Sequence, residues 1–273
     1  TAEAVSYPGA TPVFADVDPE TFTLDPDSLS EKISGKTKAV IAVHLFGQCA
    51  ALDRISGICT ARNLILVEDC AQSIGADYDG RVSGSWGDFG GFSFYPTKNL
   101  AAAGDAGLIT AKDKNHDQTL RMLRHHGSRQ TYLHERVGWN SRLDEIQAAV
   151  LRAKLGHLAR FNDARRAVAA RYRALLSGAS VKLPAEHGRG RHVYHQFTIR
   201  SERRDRIREA LAKEGIAASV FYPMALHQQP AYAKKASLPV SEALAKSVLS
   251  LPIHPLLDEA SIERVCAAVR KAA

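Results

Sequence analysis

Short apolar segments rich in Val, Ile and Phe alternate with segments of helical length along the first half of the chain. The apolar segments predict strands over 12–17, 39–45, 64–68, 89–95 and 106–110, and the intervening segments predict helices such as 26–33 and 52–62. Strands that alternate with helices form a mostly parallel sheet covered on both faces. Ligands bind at the carboxyl ends of the strands in such a sheet, so we expect functional side chains there.

The second half has a different pattern. Residues 141–144 predict a capping box that starts a long amphipathic helix, which continues to about Leu176. A Gly/Pro-containing stretch over 177–191 precedes predicted strands at 193–199 and 218–222 and predicted helices at 205–214, 241–249 and 259–271. The sequence therefore predicts a large ligand-binding α/β domain over 1–160 and a smaller α+β domain over 161–273.

The composition excludes several classes of protein. The chain has 273 residues, of which 45% are hydrophobic and 24% charged, and this argues against disordered, collagen-like and coiled-coil chains. Because no window approaches 18 consecutive apolar residues, no membrane span is expected. The four cysteines form neither a C-x-x-C pair nor a Cys/His metal spacing, so we expect no zinc, no disulfide and a reducing, cytoplasmic compartment.

The formal net charge of +7 is regional: residues 121–213 hold 21 Lys/Arg against 8 Asp/Glu. There is no RNP-like aromatic strand and no Cys/His finger, which argues against nucleic-acid binding. A basic lobe that faces a phosphorylated or nucleotide-bearing substrate explains the asymmetry, and so does an ordinary solvated surface.

Candidate chemistry begins with the strand of residues 64–68, which ends in Glu68 and Asp69. An acid in this place is often only a cap for the next turn. However, the strand that begins at Phe89 ends in a proline-stiffened turn carrying Lys98, 29 residues after Asp69. The two side chains fit a site where Lys98 forms a Schiff base with pyridoxal phosphate and Asp69 keeps the pyridine nitrogen protonated. The aldehyde needs an amine nucleophile, and the pyridinium–carboxylate pair keeps the ring an electron sink.

Two nearby polar residues have alternative interpretations. Ser93 lies between two aromatic residues and either binds the cofactor phosphate or hydrogen-bonds to the strand backbone. Gln72 follows Asp69 by three residues and either reaches the ring hydroxyl or caps a helix.

Together these residues resemble the sugar aminotransferases of the DegT/DnrJ/EryC1/StrS family, which have the type I fold of pyridoxal-phosphate enzymes. The resemblance runs through essentially the whole chain and is most specific in DCAQS (69–73) and FSFYPTKNL (92–100). The other matching stretches are GATPVFADVDPETFTLDP (9–26), GWNSRLDEIQAA (138–149), VYHQFTIR (193–200) and LPIHP (251–255).

The resemblance implies a role for each motif residue. It implies Lys98 as Schiff-base lysine and proton shuttle, Asp69 at the pyridine nitrogen, Gln72 near the ring oxygen and Ser93 on the phosphate. It also implies that Asn140 crosses a dimer interface to the partner's cofactor phosphate, which requires at least a homodimer. The local alternative for Asn140 is a turn residue ahead of the helix.

In the smaller domain, Tyr222, His227 and Tyr232 either line the sugar site or are buried aromatics. The activity implied is amination of a nucleotide-linked keto-deoxysugar at its 3-keto position, with glutamate as the amino donor, in antibiotic or surface-polysaccharide biosynthesis. Lys98 stands where the family's dehydratase offshoot carries a histidine, and this favours transamination over dehydration.

Members of the family begin earlier, with a helix start whose amides cradle the cofactor phosphate and an aromatic residue that stacks on the ring. The first residues, from Thr1 to Val5, form no signal peptide and match the helix just beyond that segment. The chain is therefore expected to be N-terminally truncated. Besides the enzyme, a sugar-nucleotide-binding or regulatory relic without activity remains an alternative.

Overall fold

In a computed structural model that describes residues 1–232 and 236–273, the chain forms helices and strands that alternate through its first half. The helices within these ranges are α1 (Ala2–Ser6), α2 (Pro26–Lys32), α3 (Leu52–Ala61), α4 (Lys114–Leu123), α5 (Glu145–Leu155), α6 (Leu158–Leu176), α7 (Arg204–Lys213), α8 (Pro239–Ser247) and α9 (Glu259–Ala272). The strands are β1 (Ala39–Val43), β2 (Ile65–Asp69), β3 (Asp77–Tyr78), β4 (Arg81–Val82), β5 (Phe89–Ser93), β6 (Gly107–Ala111), β7 (Ser128–Gln130), β8 (Leu133–His134), β9 (Phe197–Arg200) and β10 (Val248–Leu251).

Strands β1, β2, β5 and β6 form the central sheet in that order. β1, β2 and β5 are parallel, and β6 runs antiparallel to β5. The prediction of a mostly parallel sheet is confirmed, as are four of the five strands predicted for it. Val43, Asp69 and Gly91 lie side by side across the three parallel strands, so the end of β2 is level with its neighbours.

Alternate residues of β1 and β2 are buried, and they pack against α2 and α3. The shared core contains Leu29, Val40, Ala42, Ile55 and Leu66. The buried apolar face fixes the register of these strands, because a slip by one residue would turn that face to solvent.

The segment 12–17 is not a strand, contrary to prediction: it contributes only a bridge between Val17 and Leu24. Its Asp16 instead receives hydrogen bonds from the backbone N–H groups of Val240 and Ser241 at the start of α8. Burial acts to raise the pKa of Asp16, but these bonds and that of the Ser241 hydroxyl outweigh it and hold the pKa below its ordinary value. The segment is therefore held against the N-terminal end of α8 and is not part of the sheet.

The long helix predicted from Ser141 is two helices. The capping-box prediction is wrong, because Asp144 caps α5 by accepting a hydrogen bond from the Ile146 N–H (2.9 Å). Gly156 and His157 then separate α5 from α6.

The C-terminal part packs α6, α7 and α9 around the antiparallel pair β9–β10. Its core contains Tyr172, Phe197, Ile207, Leu249 and Val269. The α+β prediction is therefore confirmed for this part, while the domain boundary at residue 160 stays a prediction.

Three predicted elements differ there. The strand predicted over 193–199 begins only at Phe197, as β9. The segment 218–222 makes a single bridge, between Ser219 and Ser250, and the helix predicted over 241–249 ends at Ser247. The next four residues form β10, because Val248–Leu251 are all buried and pair with β9. No helix in the described ranges is long and apolar enough to cross a bilayer.

Candidate active site

Asp69 ends β2 at the carboxyl edge of the sheet and is half-buried. Its Oδ1 accepts a hydrogen bond from the Ala71 N–H (3.1 Å), and its Oδ2 accepts one from the Thr1 hydroxyl (2.5 Å). Gln72 follows in the same turn, and its Oε1 accepts a short hydrogen bond from the Phe46 N–H (2.6 Å). The carboxylate is thus oriented by these two hydrogen bonds and keeps acceptor capacity for a ligand.

Lys98 follows β5 in a turn closed by a hydrogen bond from its own N–H to the Tyr95 carbonyl (2.9 Å). Its side chain is half-buried, and burial lowers the pKa of Lys98, while the negative charge of Asp69 acts in the opposite direction. The structure therefore brings Lys98 and Asp69, predicted from two strand ends, within electrostatic reach of each other. A lowered pKa leaves more of the amine unprotonated and nucleophilic near neutral pH.

Sequence reasoning missed the role of Glu68, which precedes Asp69. Both Glu68 and His44 are fully buried, and His44 Nε2 lies 2.9 Å from the Glu68 carboxylate. The same carboxylate accepts the backbone N–H groups of Gly84, Trp86 and Gly87, at 2.7 to 2.8 Å. Burial acts to raise the pKa of Glu68, but the hydrogen bonds from His44 and these amides hold it below its usual range. An ionised Glu68 thus fixes the loop 84–87 next to the end of β2.

His44, Glu68 and Cys70 also place three potential metal-ligand atoms within 4.8 Å of one another. The Ala50 N–H donates to His44 Nδ1 (3.2 Å), so the ring proton is assigned to Nε2, which donates to Glu68. Burial raises the pKa of the Cys70 thiol, which opposes the thiolate form that metals bind. We therefore assign this cluster a structural role.

His195 is a second residue that sequence reasoning missed. It is buried, and burial together with the positive charges of Lys98 and Arg165 lowers its pKa to about 3. A neutral imidazole therefore lies near the Lys98 amine. Its only signal in the sequence is its place in the stretch VYHQFTIR.

Ser93 and Asn140 are the two residues expected at the cofactor phosphate. Ser93 ends β5, and its hydroxyl accepts the Tyr95 N–H (3.3 Å), which is the backbone contact considered as its alternative. Asn140 is exposed, forms a backbone bridge with His125, and accepts a hydrogen bond from the Arg142 guanidinium (3.2 Å). A phosphate role for either residue stays a prediction.

The residues expected at the sugar site lie in different surroundings. Burial raises the pKa of Tyr222, the nearby Gln72 side chain opposes this rise, and the negative charge of Asp69 adds to it. His227 is buried and pairs with Glu242 (3.0 Å), while the Tyr232 ring packs edge-on against Phe14. Tyr222 is thus placed beside the Asp69–Gln72 turn, whereas the His227 contact is of a structural kind.

Comparison with known proteins bears on the chemistry of this site. The sequence profile of the DegT/DnrJ/EryC1/StrS aminotransferase family matches residues 1–270. A UDP-N-acetyl-3-dehydro-alpha-D-glucosamine 3-aminotransferase of Acidithiobacillus ferrooxidans is 47% identical, over 99% of this chain and 74% of the relative. A dTDP-3-amino-3,4,6-trideoxy-alpha-D-glucose transaminase of Streptomyces venezuelae is 45% identical, over 98% of this chain and 72% of the relative.

A similar solved structure is that of S. venezuelae DesV in complex with a ketimine intermediate. It superposes with a TM-score of 0.96 at 44% identity, and covers 99% of this chain and 74% of its own. The predicted fold class is therefore confirmed.

Proposed function

The chain belongs to the DegT/DnrJ/EryC1/StrS aminotransferase family, and from this membership we propose that it transfers an amino group to the 3-keto carbon of a nucleotide-linked sugar. The two relatives carry different nucleotides in their names but share chemistry at the 3 position of the sugar. The observation that carries the proposal is the approach of Lys98 to Asp69 at the ends of neighbouring strands. An amino acid, which we take to be glutamate, is the donor.

Pyridoxal phosphate is the cofactor that these residues fit. When bound, it supplies an aldehyde and a conjugated ring that takes up electrons from the carbon beside the nitrogen. The half-buried amine of Lys98, with its lowered pKa, suits attack on an aldehyde. The Asp69 carboxylate suits a protonated ring nitrogen, because a charge-assisted hydrogen bond there keeps the proton in place.

Lys98 has a second task in the proposal, which is to hold and move a proton at its Nζ. General-base action requires the unprotonated amine, and the burial that lowers the pKa of Lys98 raises that fraction. The neutral His195 nearby adds no positive charge to the site. Tyr222 is half-exposed and lies near Gln72 and Asp69, a place from which it would orient the sugar.

A homodimer completes the proposed site, with Asn140 reaching the partner's cofactor phosphate. Asn140 is exposed, and the segment that precedes it in the chain carries apolar side chains that face solvent: Tyr132 is 93% exposed, Val137 94% and Trp139 66%. Exposed apolar side chains concentrated in one segment are typical of protein–protein contacts. These side chains support an interface around Asn140.

The setting of the reaction is part of the same proposal. All four cysteines are free and buried, as is usual in the reducing cytoplasm. The product would be an amino sugar for an antibiotic or a surface polysaccharide.

The test separates the two half-reactions. The purified protein is loaded with pyridoxal phosphate, reacted with glutamate alone, desalted and then mixed with a UDP- or dTDP-linked 3-keto sugar. We expect 2-oxoglutarate in the first step and a 3-amino sugar nucleotide in the second, with ping-pong kinetics. Reaction only when both substrates are present would contradict this scheme, and binding of the sugar nucleotide without turnover would favour the binding-protein alternative.

A further inference from the structure

Asn99, the residue after Lys98, belongs to a buried hydrogen-bond network. Its side chain is 7% exposed, and its Nδ2 donates to Asn162 Oδ1 (2.8 Å) and to the Val193 carbonyl (2.9 Å). Its Oδ1 lies 3.3 Å from His195 Nδ1. Because both amide hydrogens and the oxygen have partners, the backbone next to Lys98 is held from several directions.

Asn162 on α6 extends this network to the other half of the site. It is 2% exposed, and its Nδ2 donates to the carbonyl of Ile74 (3.0 Å) while its Oδ1 accepts from Asn99. Ile74 lies two residues after Gln72 and five after Asp69. One side chain therefore joins the loop that follows β2 to the loop that follows β5.

The space around Asn162 is shaped for this contact. Gly75 has a φ of +81°, and a Cβ at that position would lie 2.6 Å from Asn162 Nδ2. Glycine is the residue that adopts such a φ without strain and also leaves room for the amide. Removal of the Asn162 amide would leave one Asn99 amide hydrogen and the Ile74 carbonyl without these partners in a buried place.

We propose that Asn162 is a positioning residue that fixes Lys98 relative to Asp69 by joining Asn99 to the carbonyl of Ile74. Asn162 does not itself reach a ligand; it acts through the two loops that carry the reacting groups. The inference rests on the proposed function, because it concerns how the Lys98 amine is aimed. A misplacement of a reacting group by about 1 Å can cost about a hundredfold in rate.

The first variant is Asn162→Ala, with Thr198→Val as the matched control. Thr198 and Ser250 share a buried hydrogen bond of 2.8 Å in the C-terminal core, so the control loses one buried side-chain hydrogen bond where Asn162→Ala loses two. The readout is the rate at which cofactor-free protein attaches pyridoxal phosphate covalently to Lys98, followed by absorbance. We expect attachment to slow by about tenfold or more in Asn162→Ala and to stay at the wild-type rate in Thr198→Val. In steady-state transamination, kcat of Asn162→Ala should fall by a larger factor than KM rises.

The second variant, Gly75→Ala, perturbs the same contact from its other side. It should slow attachment in the wild-type background, since the new methyl group displaces the Asn162 amide. The strain of alanine at a positive φ is common to both backgrounds, so the further slowing that comes from the amide contact should disappear in the Asn162→Ala background, where no amide is left to displace.

Three results would overturn the proposal: wild-type attachment in Asn162→Ala, equal slowing in Thr198→Val, or additive effects of the two site variants. Failure of the wild-type protein to attach the cofactor at all is a different outcome, because it would remove the proposed function itself.

Discussion

Replacement of Glu68 by glutamine should destabilise the fold strongly, although the two side chains have nearly the same shape. Two donors converge on each carboxylate oxygen: the Trp86 and Gly87 N–H groups on Oε1, and His44 Nε2 with the Gly84 N–H on Oε2. A glutamine oxygen can serve one pair, but its NH₂ group would face the other pair, donor against donor. His44 cannot relieve this by moving its proton to Nδ1, because that atom accepts the Ala50 N–H.

The magnitude follows from the two lost bonds. A hydrogen bond to a charged group contributes about 1.5–3 kcal/mol, so Glu68→Gln should lower the free energy of unfolding by about 3–6 kcal/mol. At roughly 2–4 °C per kcal/mol for a chain of this size, the melting temperature should fall by at least about 6 °C.

The pH dependence of the stability difference shows whether the Glu68 charge is its cause. The pKa of Glu68 is lowered in the folded state, so its stabilising contribution is complete above the ordinary value of 4.5 and is lost as the pH falls through the folded pKa. The stability gap between wild type and variant should be constant from about pH 6 to 8 and narrow below about 4.5.

Glu31→Gln is the matched control, because Glu31 is exposed on α2 and its replacement should change stability by less than about 0.5 kcal/mol. A loss below about 1 kcal/mol for Glu68→Gln, or a gap that does not change with pH, would show that the Glu68 charge does not organise this loop.

Three further predictions concern the site and the core. Asp69→Asn removes the charge that raises the pKa of Lys98, so cofactor attachment should extend to lower pH. The glutamate half-reaction should slow by about a hundredfold, and unchanged rates in stopped-flow absorbance would contradict the role assigned to Asp69. Tyr172→Phe deletes the bond from the buried hydroxyl to the Pro252 carbonyl (2.7 Å) and should cost about 1 kcal/mol in urea unfolding, and no measurable loss would speak against this bond. The four buried cysteines should react with a thiol reagent at pH 8 only as fast as the protein unfolds, because burial raises the pKa of each thiol. A thiol that reacts fast in the native protein would be inconsistent with their burial.

The parts of the fold that the sequence predicts well are those where one local signal dominates. β1 and β2 are continuous apolar runs between helical segments, and their pairing follows from burial. β10 was missed because Val248–Leu251 continues the apolar spacing of α8, and only its pairing with β9 distinguishes the two states. The start of α5 was misplaced by three residues, because Ser141 and Asp144 are both good N-caps and the tertiary structure selects Asp144.

The site likewise contains residues that the local sequence signals and residues that it does not. Asp69 and Lys98 carry their own signal, since each is a charged residue at the end of an apolar strand. Asn162 carries no signal and Asn99 only its place in the stretch FSFYPTKNL, because the two residues are 63 apart and meet only in the folded chain. The four donors on Glu68 likewise come from His44 and the loop 84–87, and no local pattern relates these segments.

The central claim is that Lys98 and Asp69 form an aminotransferase site, and one spectroscopic measurement tests it most directly. Purified wild type and Lys98→Ala are mixed with pyridoxal phosphate, visible absorption spectra are recorded, and glutamate is then added. The account predicts a band of lysine-bound cofactor in wild type that is absent from Lys98→Ala and that converts to the pyridoxamine form with glutamate. The same band in Lys98→Ala, or a wild-type band that glutamate leaves unchanged, would contradict it.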